Sequence, residues 1–199
     1  MLKTEELHDQ AKEIERLLRL KTRPLAVKML EKEADIPSDA KRPMKDMGYH
    51  LALCQAISLG RRQGMSIALL KKDMWCPEPV IGLGLAETPE FFLEGHNRYP
   101  GTAKTLEAGR NWAQGFPRLE AGKYIGVVVS PLETASFASD IFILYVDGSQ
   151  LTQLLIAKNW IDGRDITSTL SGHAACVYAI VPVLKTGQFQ IAVPCFGDR

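Results

Sequence analysis

With 199 residues, 46% of them apolar and 24% charged, the chain has a globular composition that can bury about 70% of its unfolded surface. A formal charge of +1 and the lack of any long Lys/Arg block argue against nucleic acid or an anionic membrane as partner. No apolar run approaches the ~18 residues of a spanning helix, and the start, Met-Leu-Lys-Thr-Glu-Glu, carries no apolar leader. The expectation is one cytoplasmic domain over residues 1–199, its four cysteines reduced, metal-bound or catalytic rather than disulfide-bonded.

In chain order, Thr4 is a candidate N-cap, and Leu7, Ala11, Ile14, Leu17 and Leu18 recur at helical spacing, predicting an amphipathic helix over 4–20. Arg23-Pro24 ends it. Residues 25–30 have strand character, interrupted by Lys28 as edge strands often are, with a ligand-facing cation as the alternative. After a polar excursion over 31–47, His50 and Cys54 open an apolar run that predicts a helix from 54 to 64. A strand over 66–70 then leads to Cys76-Pro77.

Gly82-x-Gly84 resembles half of a dinucleotide fingerprint, but the third glycine position holds Glu87, so the segment reads better as a helix packed closely through small residues. Helices are predicted to start at Thr88-Pro89 and to run over 102–113. Phe91, Phe92, Tyr99, Trp112 and Phe116 concentrate here, either as core residues or as the wall of a ligand pocket. Residues 124–129 and 141–146 read as buried strands, and 150–160 as a helix after the Asp147-Gly-Ser turn. His173 and Cys176 open a second apolar run, helical to Gly187 unless Pro182 breaks it, and residues 189–193 form a strand ending at Pro194-Cys195. The sum is an α+β (mixed α/β) fold, a five-stranded sheet packed with helices.

The order of strand, excursion, cysteine helix, strand and cysteine occurs over about 25–77 and again over about 141–197, which suggests a pseudo-twofold duplication. A helix of ten or eleven residues climbs ~15 Å and a five-residue strand returns about as far. In each half the two cysteines then meet at one end, near a helix N-terminus that favours thiolate. No C-x2-C chelate occurs, so any site is assembled by tertiary structure from Cys54, Cys76, Cys176 and Cys195. Four such thiols match one [4Fe-4S] cluster or one structural zinc, and four inert buried thiols are the plain alternative. His50 and His173 precede the helical cysteines by four and three positions, the spacing of a shared helical face, and are candidate ligands or supporting groups for a bound cofactor. Gly197 allows a tight turn that would bring Arg199 over the thiols, to offset their charge or meet a small anionic ligand.

The runs Tyr49-His-Leu-Ala-Leu-Cys-Gln-Ala, Cys76-Pro77 with Gly82-Leu-Gly, the apolar segment around Cys176, and Val193-Pro-Cys-Phe-Gly-Asp-Arg together resemble the DUF169 family of bacterial and archaeal proteins, from Pro24 onward. The resemblance implies cysteines at these four places and an anaerobic setting, and it leads one to expect further residues after Arg199. No G-x-S-x-G, H-E-x-x-H or P-loop is present, so catalysis is left open. Two functions follow as expectations. One is a redox or electron-transfer protein with an iron-sulfur cluster and a redox partner protein; the other is a small-molecule-binding or accessory module with structural zinc or inert cysteines. Either could be a homo-oligomer.

Overall fold

The computed structural model describes residues 4–194. A single four-stranded antiparallel sheet has the order β2-β3-β1-β4, from β1 (Leu25–Leu30), β2 (Ile67–Leu70), β3 (Gly126–Pro131) and β4 (Ile141–Ile143). Alternation along β1 sends Leu25, Val27 and Met29 to one face, where they join Ile67, Leu69, Val127, Val129 and Ile141. Helices α2 (Leu53–Gln63) and α7 (Ala175–Thr186) cover that face with Leu53, Ile57, Val177, Ile180 and Val181. Residues Leu30, Ala68, Leu70 and Val128 face the other way, under Ile36, Ala40 and Phe137. Helix α1 (Thr4–Leu18) closes part of this second face through Ala11 against Ala26, Leu132 and Ala135.

The mixed α/β class is as expected, but the fifth strand is not formed. Residues 187–194 have no regular structure. Their polar groups bond to the 168–169 segment instead: Ser168 Oγ accepts from Ile191 N at 2.6 Å, and Gln190 Nε2 donates to Thr169 O at 2.9 Å. The duplication fails for the same reason. Helix α2 is followed by a strand, whereas α7 is followed by this irregular segment, and β4 keeps only three residues. Lys28, expected on an edge, lies on β1 between β3 and β4, half-buried on the second face.

Helix α2 crosses the sheet at Gly60, where an added Cβ would lie 3.1 Å from Leu25 Cδ2, and ends at Gly64 with φ +75. Helix α7 continues through Pro182, where the sequence leads one to expect an early end or a kink, to Thr186. Between α2 and α7 lie α3 (Pro77–Gly82), α4 (Glu90–Leu93) and α5 (Leu106–Gly115). Gly82 is the close-packing point expected: its added Cβ would sit 2.4 Å from Val177 Cγ1, so only glycine lets α3 rest on α7. Helix α6 (Gly148–Asp162) is capped by Asp147, whose carboxylate accepts from Ser149 N and Gln150 N, and is pinned to the end of α1 by Gln150 Nε2.

Candidate functional site

Helix α2 folds back onto β2, and the segment after β2 returns to the start of α2. Leu51 and Met74 form a parallel bridge, and Trp75 N donates to Leu51 O at 3.4 Å. Gln55 locks the two segments together, because its Oε1 accepts from Ala52 N at 2.8 Å and from the Trp75 indole N–H at 3.1 Å. Cys54, in the first turn of α2, and Cys76, just before α3, are thereby brought to the same end of the first half. Cys176 occupies the first turn of α7, which packs on both α2 and α3. Cys54 and Cys176 are buried and Cys76 is partly exposed. The eleven- and twelve-residue helices α2 and α7 direct their positive ends at Cys54 and Cys176, which favours thiolate.

Ala174, two residues before Cys176, holds φ +54 and ψ +40, a left-handed conformation that costs a non-glycine residue about 1 kcal/mol. Strain of this kind persists where surrounding structure fixes it, and it sets the entry angle of α7. Cys195 and Arg199 lie outside the described residues. Among the described residues no group of three or more His, Cys, Asp or Glu side chains is placed to hold a metal ion.

Beside Cys76 lies a polar cluster that sequence patterns do not mark. The Cys76 thiol donates to Glu78 Oε2 at 2.9 Å, and Glu78 Oε1 pairs with Arg98 Nη2 at 3.2 Å, both side chains being largely buried. The Arg98 guanidinium lies 3.8 Å over the Trp112 ring. Trp112 Nε1 donates to Ser171 Oγ at 3.2 Å, as does His173 N. Burial pushes the His173 imidazole below its usual value, reinforced by Arg98 and opposed by Glu78. Burial likewise raises the Tyr178 phenol, against the Ser171 hydrogen bond and Arg98.

A family model, DUF169 ("Uncharacterised ArCR, COG2043"), matches residues 13–199. The chain belongs to the DUF169 family. No curated protein and no solved structure gives a significant match.

In this DUF169 chain the expected site residues are treated unequally. His50 is exposed and precedes α2, and His173 precedes the Ala174 cap of α7, so neither shares a helical face with its cysteine. His173 joins the Glu78–Arg98 pair instead, while the structure gives His50 no such setting. The five aromatics do not wall one pocket. Phe92 and Phe116 are core residues packed with tilted rings against Trp112 at centroid distances of 5.7 and 4.7 Å, whereas Phe91 and Tyr99 are exposed. Glu78, Arg98 and Ser171 were missed. The usable signals were an acidic residue two positions after a cysteine in a Pro-flanked helix start, and an arginine inside an aromatic-rich segment.

Proposed function

We propose that this protein is a redox or electron-transfer protein in which Cys54, Cys76, Cys176 and Cys195 hold one [4Fe-4S] cluster. The observation that carries the reading is the tie between Leu51 and Met74, which brings Cys54 and Cys76 to one end of the fold although 22 positions separate them. The donor chemistry supports it, four thiols being the ligand set of such a cluster, and Cys176 starts a helix that packs on α2 and α3. Among the described residues Cys54, Cys76 and Cys176 are not themselves gathered into a metal-holding group, so binding would have to draw them together. A cluster would supply one-electron transfer. The chain's own part is to orient the thiols, to bury Cys54 and Cys176, and to set the Glu78–Arg98 pair beside Cys76. Zinc in the same thiols is the alternative, which would make the site structural.

Anaerobic purification with absorption spectroscopy and iron, sulfide and zinc analysis tests this. Four irons and four sulfides per chain are expected, with Cys54→Ala and Cys176→Ala each losing the visible absorption. A colourless, iron-free protein sinks the reading, and one zinc per chain converts it to the structural alternative.

A further inference from the structure

The thiol end carries a surface that the cluster itself does not use. Trp75 adjoins Cys76 and is 60% exposed, though its indole N–H is fixed to Gln55, the neighbour of Cys54. Met44, whose N–H bonds Asp73 two residues before Trp75, is exposed too, as is Tyr49, two residues before the Leu51 that bonds Trp75 N. The short helical turn Pro43–Met47 and the turn Lys71–Asp73 pack on each other and on β2, so these residues form one continuous platform. Its rigidity has a clear source. Buried Asp73 accepts from Arg42 Nε at 2.8 Å, Leu70 N at 2.9 Å and Met44 N at 3.3 Å, stapling one turn to the other.

The platform is also charged. Lys41, Lys45, Lys71 and Lys72 are exposed on it, against Asp46, whose carboxylate accepts from Arg42 N at 2.6 Å. Arg42 and Asp73 cancel each other. Four lysines less one aspartate give +3 here, in a chain whose total is +1, so the remaining residues sum to −2. The platform next to Trp75 and Cys76 is therefore locally cationic in a chain that is nearly neutral. Exposed Trp, Tyr and Met among lysines is the composition of a transient protein interface, in which charge steers encounter and aromatics supply contact area.

We infer that this platform, Met44, Lys45, Tyr49, Lys71, Lys72 and Trp75, is the docking surface for an acidic electron-transfer protein. The inference rests on the redox reading for its purpose, but the binding is a property of the platform alone. Acidic protein is favoured over nucleic acid because the lysines fall within the two short segments 41–45 and 71–72, interspersed with exposed apolar side chains, rather than along a long stripe.

The full chain is titrated by calorimetry with two strongly acidic electron-transfer proteins, a plant-type ferredoxin and a flavodoxin. A basic cytochrome and a short single-stranded DNA serve as controls, at about 20 and about 200 mM salt. At least one acidic protein is expected to bind at micromolar Kd and to weaken about tenfold or more at the higher salt. The double change Lys71→Glu, Lys72→Glu should weaken it at least about tenfold, and Trp75→Ala by a similar factor. Should Trp75→Ala disturb the fold by circular dichroism, Lys45→Glu gives an independent variant at an exposed site. The inference is overturned if neither acidic protein binds, if charge reversal leaves Kd unchanged, or if DNA binds more tightly through the same lysines. Because calorimetry needs no cluster, an iron-free protein that passes this test sinks only the cluster reading. An iron-bearing protein that fails it sinks only the docking surface.

Discussion

Asp73 and Glu78 are five positions apart, and each is buried against an arginine, yet their surroundings differ in kind. Asp73 is fully enclosed, and its two oxygens receive the Arg42 guanidinium and two backbone N–H groups, every donor lying in the two turns or in the residue just before one of them. Glu78 receives one arginine, itself lying over the Trp112 ring, and one thiol, with the His173 imidazole in electrostatic reach. A buried carboxylate saturated by backbone donors fixes the chain. One satisfied by a thiol can change partners when the thiol changes state. Proximity in sequence therefore says little about role, and the identity of the donors says a great deal.

The largest effect expected from breaking this contrast is at Asp73. Asp73→Ala leaves Arg42 buried without its carboxylate and two N–H groups without an acceptor, a loss of about 3–5 kcal/mol. Urea unfolding should show the midpoint falling steeply with the slope unchanged. A change below about 1 kcal/mol would mean that Asp73 does not staple the platform.

Glu78→Gln should cost less, about 1–2 kcal/mol, because Arg98 retains its stacking on Trp112 and the amide still offers an oxygen. Its distinguishing sign is local: the labelling rate of Cys76, whose thiol bonds Glu78, should change several-fold with iodoacetamide, while the buried Cys54 and Cys176 should change much less. Equal changes at all three thiols would show general loosening instead, and would erase the difference between the two pairs.

Much of the fold could be read from local pattern. The apolar run after His50, ending in a left-handed Gly64, gives α2 almost to the residue. The small residues at 82–84 correctly signal a close helix contact. Residues 189–193 misled because alternation over five residues cannot say whether an edge strand will accept them, and here Ser168 takes their backbone groups first. The Glu78 cluster was illegible for a related reason. Its members come from α3, the segment before α5, and the approach to α7, as much as 95 positions apart between Glu78 and His173. No periodicity connects them; the contact of Gly82 with Val177, which sets α3 on α7, does.

The smallest effect expected sharpens the comparison through pH. Burial and Arg98 hold the folded His173 imidazole below its ordinary value of 6.5, and Glu78 opposes them. As pH falls through about 6.5, the unfolded chain takes up a proton at this site that the folded chain does not. Stability is therefore present above that pH, declines as pH drops, and stops declining once the folded imidazole also titrates. His173→Gln should flatten this part of the profile. Glu78→Gln should steepen it, because the one group that favours the protonated imidazole is removed while Arg98 stays. Unfolding curves at a series of pH values between about 5 and 8 check the sign. A profile for His173→Gln that superposes on the parent's would mean that the imidazole is not coupled to the Glu78–Arg98 pair, and the cluster would then be reduced to the thiol, the carboxylate and the arginine.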